Sequence, residues 1–142
     1  MKYLFDASAL LNLVRRLGEE SLKILEENYI LTLTIYDVGN ALWMEARLSR
    51  RLTMDEAEAM MRAIITPIEF MQVIELQDPI EVLRISNEIE ITFYDAAYVV
   101  AALRRGLILV TDDRRLVARM ERYRDTILKE YREELHMIRS TE

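Results

Sequence analysis

Four aspartates of this sequence lie where a shared site could form. Asp6 and Asp113 each come soon after a short apolar run that predicts a buried strand, and Asp37 and Asp95 each lie in the first turn of a predicted helix. In an open parallel α/β sheet, ligands bind beyond the carboxyl ends of the strands. We therefore expect the four carboxylates to converge at one edge of a sheet.

Converging carboxylates repel one another, and each raises the pKa of the others. A hard divalent cation removes that cost, and Mg²⁺ or Mn²⁺ prefers oxygen ligands while leaving room for water and substrate phosphate. Such a site can activate a water and neutralise charge on a phosphodiester during hydrolysis. The sequence therefore predicts an acidic site for Mg²⁺ or Mn²⁺.

Helix capping is the alternative explanation for these acids. Asp37 and Asp95 each lie three residues after a threonine, as in a capping box, and the segment 53–56 fits the same pattern without any chemistry assigned to it. Taken singly, Asp37 or Asp95 is better explained as a capping residue, and Asp113 could be an early-turn acid. Asp6 is different, because a charge at the end of a buried strand is costly without a partner. The prediction therefore depends on convergence.

Three polar residues accompany the acids. Ser8 and Thr111 each lie two residues from an acid of the cluster, and Asn40 lies one turn after Asp37 on the same helix face. Each could hold a carboxylate, a water or a phosphate. Local hydrogen bonding explains Ser8 and Asn40 equally well, and for Thr111 a helix-capping role is the better explanation.

Apolar runs that predict strands alternate with helical patterns along the chain. Continuous apolar strands are typical of a parallel sheet covered on both faces, so we predict a three-layer α/β/α sandwich in one domain over residues 1–142. Pro67 is expected to end the fourth helix and Gly106 to cap the sixth. The predicted strands are 2–5, 30–33, 70–76 and 107–110. The predicted helices are 8–16, 21–27, 34–49, 53–65, 79–88 and 92–105. A last helical region is predicted from Thr111 towards Met137, with a break near 125–126.

Composition excludes several classes of function. The chain has 142 residues, of which 51% are hydrophobic, and it contains no cysteine. A disulfide framework, a zinc–thiolate site and a cysteine nucleophile are therefore excluded, and the single histidine, His136, leaves little material for a histidine-based triad. No signal-peptide pattern and no apolar run long enough to span a bilayer are present, so we expect a soluble cytoplasmic protein without membrane contact.

Arginine dominates the cations of an acidic chain. The net charge is −6, which gives no bulk attraction to nucleic acid, yet only three of the 19 cations are lysines. Arg114, Arg115 and Arg119 follow Asp113, and the guanidinium fork matches phosphate geometry. We treat these three as candidates for RNA contacts, although a solvated, ion-paired surface explains them equally well.

Four short motifs around the acids resemble those of PIN domains in order and spacing. They are KYLFDASAL at 2–10, YDVGNAL at 36–42, FYDAA at 93–97 and VTDDRRL at 110–116. Over nearly its whole length the chain resembles the toxin component of VapBC toxin–antitoxin pairs. The resemblance implies a PIN-like, Rossmann-like fold and endoribonuclease activity dependent on Mg²⁺ or Mn²⁺.

The resemblance also assigns roles to individual residues. It implies metal ligands at Asp6, Asp95 and Asp113, a further catalytic acid at Asp37, and supporting polar groups at Ser8, Asn40 and Thr111. The family's second acid is usually glutamate, and the shorter Asp37 could reduce activity or metal affinity. The spacing from the threonine in the fourth motif selects Asp113 over its neighbour Asp112.

Relatives of this kind form homodimers and are inhibited by a small antitoxin protein that lies across the acidic groove, so the resemblance implies both partners as well as an RNA substrate. An apolar docking surface could come from Trp43, Met44 and the methionines at 54, 60 and 61, although ordinary core packing is the favoured explanation.

Two other functions compete with ribonuclease activity. The shortened second acid could have left a catalytically weakened module that binds RNA or protein without cutting. An acid-cluster phosphotransfer protein is the third class. It is disfavoured because Ser8 occupies the position where a haloacid-dehalogenase-like phosphatase needs a second aspartate, and no lysine suited to a response-regulator receiver follows a late strand.

Overall fold

The computed structural model of the protein describes residues 2–142, in which short strands alternate with helices. The strands are Tyr3–Phe5 (β1), Tyr29–Leu31 (β2), Gln72–Ile74 (β3), Ile108–Val110 (β4) and Met137–Ile138 (β5). The helices are Ala7–Leu17 (α1), Ser21–Leu25 (α2), Thr34–Trp43 (α3), Met54–Ile68 (α4), Pro79–Glu88 (α5), Phe93–Arg105 (α6), Arg114–Arg122 (α7) and Arg124–Tyr131 (α8). A 3₁₀ turn at Gly18–Glu20 follows α1, and a π-helical segment at Met44–Leu48 continues α3.

The five strands form one parallel sheet in the order β3-β2-β1-β4-β5. In the register of the sheet, Leu4 of β1 lies beside Tyr29 of β2 on one side and Leu109 of β4 on the other. The chain builds β2 and β3 on one side of β1 and then returns to build β4 and β5 on the other. This reversal creates a crevice at the carboxyl ends of β1 and β4, where ligands bind in sheets of this kind.

Helices cover both faces of the sheet, which confirms the predicted three-layer α/β/α sandwich. Neighbouring residues of a strand point to opposite faces, so Leu4 and Leu109 pack with helices α5 to α8, whereas Phe5 and Val110 pack with α1 to α4. Leu4 and Leu109 are fully buried. Within residues 2–142, no helix has the length and apolar character needed to cross a membrane.

Several predicted helix ends are confirmed. Thr53 and Glu56 form a reciprocal capping box at the start of α4, and Pro79 occupies the first turn of α5 directly after its capping residue, Asp78. Gly106 ends α6 with a φ of 63°, a left-handed conformation that residues other than glycine adopt with strain.

Other predicted boundaries are wrong. Pro67 lies inside α4, which continues to Ile68, because a proline in the last turn removes only one hydrogen bond. Asp113, and not Thr111, caps α7. The predicted strand over 70–76 is reduced to β3, because the residues on either side do not pair with β2.

The C-terminal part of the chain also differs from the prediction. The helical region that the sequence predicts up to Met137 ends at Tyr131, and Met137 and Ile138 instead form β5. This strand pairs in parallel with Leu109 and Val110 of β4. Two residues are too few to produce the alternating or continuous apolar pattern by which a strand is predicted.

Candidate active site

Asp6 lies at the carboxyl end of β1, where its carboxylate caps α1. Its Oδ1 accepts hydrogen bonds from the Ala9 N–H at 2.9 Å and the Ser8 hydroxyl at 2.7 Å. The residue is only 6% exposed. Burial raises the pKa of Asp6, and the charge of Asp113 raises it further, against the lowering effect of hydrogen bonds from Thr111, Ala9 and Ser8. Asp6 therefore resists ionisation more than an exposed aspartate does.

Asp113 follows β4 and caps α7. Its Oδ1 accepts hydrogen bonds from the N–H groups of Arg115 at 2.9 Å and Leu116 at 3.3 Å. Its own N–H donates to Thr111 Oγ1 at 3.1 Å, and Thr111 is fully buried. Because β1 and β4 are neighbouring parallel strands, Asp6 and Asp113 lie at the same edge of the sheet, and the charge of Asp113 raises the pKa of Asp6.

Asp95 is a half-buried acid in the first turn of α6. Its N–H donates to Thr92 Oγ1 at 3.1 Å, so the threonine caps this helix as predicted. Burial and the charge of Asp113 raise the pKa of Asp95 to about 6, and Asp6 and Asp37 also raise it. Asp95 is therefore close enough to each of the other three acids for their charges to interact.

The capping box predicted for Thr34 and Asp37 is wrong. Within residues 2–142, no side chain caps the start of α3. Thr34 is fully buried and uses its Oγ1 to accept the Leu31 N–H at 3.0 Å. Asp37 instead accepts a hydrogen bond from the hydroxyl of Tyr98 at 3.2 Å. Burial raises the pKa of Asp37, and the bond from Tyr98 opposes that rise.

Tyr98 is a part of the site that the sequence prediction missed. It is 2% exposed, and burial raises the pKa of its hydroxyl far above the usual value, so the group remains a hydrogen-bond donor at neutral pH. A signal was available in the sequence, since Tyr98 lies three residues after Asp95 and must share its helix face. Its contact with α3 could not be deduced from that spacing.

Asp112 bonds to the C-terminal segment, whereas its neighbour Asp113 caps α7. Its carboxylate accepts hydrogen bonds from the Asn12 amide at 2.9 Å, from the Ser140 N–H at 2.9 Å and from the Ser140 hydroxyl. Burial raises the pKa of Asp112, but these bonds and the charge of Arg139 outweigh it and hold the pKa below its usual value. Asp112 thus anchors the C-terminal segment to α1.

The three predicted polar helpers lie in different environments. Ser8 donates to Asp6 and accepts the Asp112 N–H at 3.0 Å, so it joins the loops that follow β1 and β4. Thr111 lowers the pKa of Asp6 through a hydrogen bond, and its Oγ1 accepts the Asp113 N–H. Asn40 is exposed, its amide contacts Met44 Sδ at 3.8 Å, and it forms no hydrogen bond to an acid of the cluster within residues 2–142.

The three arginines predicted to contact RNA also lie in different environments. Arg119 pairs with Glu90, with Nη1 and Oε2 3.4 Å apart. Arg114 and Arg115 are exposed in the first turn of α7, directly after Asp113, and neither forms an ion pair within residues 2–142. These two therefore remain available to a bound anion beside the acids.

The four carboxylates fit a hard divalent cation by ligand type and charge. They supply only oxygen, and no lysine or arginine in the described range pairs with any of them. In that range, however, no three acidic or histidine side chains lie close enough to bind one ion together. Asp6 and Asp113 each cap a helix through Oδ1, so Oδ2 of each is the oxygen that could face an ion.

Comparison with known proteins gives a family for this fold and acidic crevice. No protein-family model matches the sequence. The chain is 44% identical over 119 residues to the exonuclease VapC9 of Pyrobaculum aerophilum, covering 84% of this chain and 86% of that protein. It is 34% identical over 125 residues to the ribonuclease VapC3 of the same organism, covering 82% of this chain and 92% of the relative.

Solved structures agree with the sequence comparison. The crystal structure of PAE2754 from P. aerophilum superposes with a TM-score of 0.71 at 43% identity, covering 84% of this chain and 79% of that one. VapBC-1 from nontypeable Haemophilus influenzae superposes with a TM-score of 0.60 over the whole of both chains, and its 15% identity shows a shared fold alone. The protein is thus a PIN-like α/β protein with an acidic crevice. It belongs to the VapC family.

Proposed function

We propose that this protein is a ribonuclease dependent on Mg²⁺ or Mn²⁺ and that it acts as the toxin of a toxin–antitoxin pair. The observation that supports the proposal is the convergence of four carboxylates, without a cation partner in residues 2–142, at the crevice of a VapC-family fold. The names of the relatives VapC9 and VapC3 add that nucleases occur in this family.

In this proposal, Asp6, Asp95 and Asp113 hold the cation, and Asp37 orients a water at the edge of the site. When bound, the cation would lower the pKa of water and neutralise charge on the phosphodiester. The Ala9 N–H and the Ser8 hydroxyl keep Asp6 in place, which limits the reorganisation needed during the reaction.

The arginines at the start of α7 give the substrate a second point of attachment. Arg114 and Arg115 would bind phosphates on either side of the bond that is cut, since both are exposed and lie directly after Asp113. Arg119 is less suited to this role because it already pairs with Glu90.

The proposal has a direct test. The purified protein is incubated with Mn²⁺ and RNA beside Asp6→Asn, Asp78→Asn and an EDTA control. Asp78 is a matched control because it is also the capping aspartate of a helix, α5, where its Oδ1 accepts the N–H groups of Ile80 and Glu81. Asparagine is a good capping residue, so both variants should fold. We expect Asp78→Asn to cut like wild type and Asp6→Asn to lose activity; equal cutting by wild type and Asp6→Asn would refute the proposal.

The mode of cutting requires a second substrate. The resemblance to PIN toxins implies internal cleavage, whereas the relative VapC9 is named an exonuclease. A circular single-stranded RNA has no ends, so only an endonuclease can linearise it. We propose internal cleavage and expect the circle to be opened; degradation of linear RNA alone would show that the enzyme acts from an end.

A binding module without catalysis is the second candidate. Two points favour it: Asp37 is shorter than the glutamate that the resemblance to PIN domains implies at this position, and no three side chains in residues 2–142 are close enough to hold a metal ion together. Retarded migration of RNA with no cleavage in Mg²⁺ or Mn²⁺ would support this candidate over the enzyme.

We also propose a small antitoxin and a second copy of the chain as partners. VapBC-1 of H. influenzae has this fold. Trp43, Met44, Leu48 and Met54 are between 46% and 63% exposed along α3, its π-helical continuation and α4, whereas Met60 and Met61 pack against the core. The first four therefore offer an apolar surface. A small protein encoded beside this gene should co-purify with the chain and inhibit its cleavage of RNA.

A further inference from the structure

The carboxylate of Asp37 is held by one side chain from another helix. Asp37 lies in the first two turns of α3, and its Oδ2 accepts the hydroxyl of Tyr98 at 3.2 Å. Its Oδ1 accepts no hydrogen bond from residues 2–142. One oxygen is therefore fixed inside the protein, and the other remains available to a ligand in the crevice.

Tyr98 lies close to both acids of the cluster that are within helices, Asp37 on α3 and Asp95 on α6. It lies on α6, three residues after Asp95, so both side chains share one face of that helix. Its ring is buried between α6 and the sheet, and its hydroxyl reaches Asp37 on α3. This hydroxyl therefore links the helix that carries Asp95 to the carboxylate of Asp37.

The direction of the hydrogen bonds around Tyr98 follows by elimination. The Leu31 N–H donates to Thr34 Oγ1 at 3.0 Å, and Thr34 Oγ1 lies 2.8 Å from the Tyr98 hydroxyl. An ionised Asp37 can only accept, so Tyr98 donates to it and Thr34 must donate to Tyr98. The result is an ordered chain of three hydrogen bonds from the end of β2 to the carboxylate, and successive bonds of this kind polarise one another.

A buried tyrosine hydroxyl needs one partner, and Thr34 already provides one. The second bond, at 3.2 Å, ends on a carboxylate and is therefore charge-assisted. Core packing alone would therefore account for the ring and for the contact with Thr34, but not for the contact with Asp37.

We propose that Tyr98 is a positioning residue, which together with Thr34 holds the shortened acid Asp37 so that only its Oδ1 faces the metal and the water. The inference depends on the proposed metal-dependent function, and it adds a residue to that function. Partners that hold the ligands of a metal change metal affinity or activity by about 10- to 100-fold when they are removed.

The test compares two tyrosine-to-phenylalanine substitutions. Tyr98→Phe removes the hydroxyl and keeps the ring. Tyr131→Phe is the matched control, because the Tyr131 hydroxyl also donates to a carboxylate, that of Glu81, at the same 3.2 Å but outside the acid cluster. Mn²⁺ affinity is measured by electron paramagnetic resonance, RNA cleavage by kcat and KM, and folding by thermal unfolding. We expect Tyr98→Phe to weaken Mn²⁺ binding by about tenfold and to lower kcat more than it changes KM, with Tyr131→Phe unchanged.

Pairing each substitution with Asp37→Asn separates positioning from a general structural effect. If Tyr98 acts through Asp37, Tyr98→Phe should change Mn²⁺ affinity by less than about twofold in the Asp37→Asn background. An equal loss in both backgrounds, or wild-type affinity in Tyr98→Phe, would overturn the inference. Wild type that binds Mn²⁺ but cuts no RNA would reject the proposed function, and the two Mn²⁺ affinities would still decide the role of Tyr98. Wild type that binds no Mn²⁺ would overturn both.

Discussion

Replacing Asp95 by asparagine should stabilise the metal-free protein. Burial and neighbouring acids raise the pKa of Asp95 to about 6, from 3.8 for an unperturbed aspartate. The folded state therefore favours the protonated acid, so this carboxyl contributes most to stability below pH 3.8, and the contribution is lost as the pH rises through about 6. At neutral pH the charged Asp95 destabilises the fold, and asparagine removes that charge while keeping the shape.

The magnitude follows from the shift in pKa. A difference of about two pKa units corresponds to at most about 3 kcal/mol, and screening by solvent at this half-buried side chain reduces it to about 1–2 kcal/mol. For a chain of this length, that change should raise the melting temperature of Asp95→Asn by about 3–8 °C at pH 7 in EDTA. The gain should shrink towards zero as the pH falls to 4.

Thermal unfolding of wild type and Asp95→Asn, from pH 4 to pH 7.5 in EDTA, measures this difference directly. Asp55→Asn is the control, because Asp55 is an exposed acid in the first turn of α4 and should stabilise its helix slightly when charged. Mn²⁺ should reverse the order by stabilising wild type more than Asp95→Asn. A lower melting temperature for Asp95→Asn in EDTA at pH 7 would show that the charge helps the fold and would refute the argument from repulsion.

Two further predictions concern the surroundings of the acids. Replacing both Arg114 and Arg115 by alanine should weaken RNA binding in EDTA and reduce the slope of log K against log salt by about 1.4, at about 0.7 for each phosphate that is no longer neutralised; an unchanged slope would exclude both residues from the interface. Asp112→Ala should release the C-terminal segment and destabilise the protein by about 1–3 kcal/mol, because the buried Ser140 loses its hydrogen-bond partner. Faster amide exchange at 137–140 would demonstrate the release, and wild-type protection there would contradict it.

The sequence was most informative where structure depends on local patterns. Apolar runs and helical periodicity give four of the five strands and the alternation of strands with helices, because burial on both faces of a parallel sheet leaves a continuous apolar signal. The capping box at Thr53 and the glycine after α6 are equally local. Where the signal is short or ambiguous, the prediction fails, as at the two-residue β5 and at Pro67.

By itself, the sequence predicted four candidate acids and determined that Asp6 and Asp113 lie at one edge of the sheet, since a polar residue that follows a buried strand can be recognised from the chain alone. Only the tertiary structure decided the partner of each acid. Thr34 forms a hydrogen bond with Tyr98, 64 residues later in the sequence, instead of capping α3. Asp112 accepts a hydrogen bond from Ser140, 28 residues later, whereas Asp113 lies with the other acids. The physical reason is that hydrogen bonds between distant segments depend on how helices pack across the sheet, and the local sequence does not encode that packing.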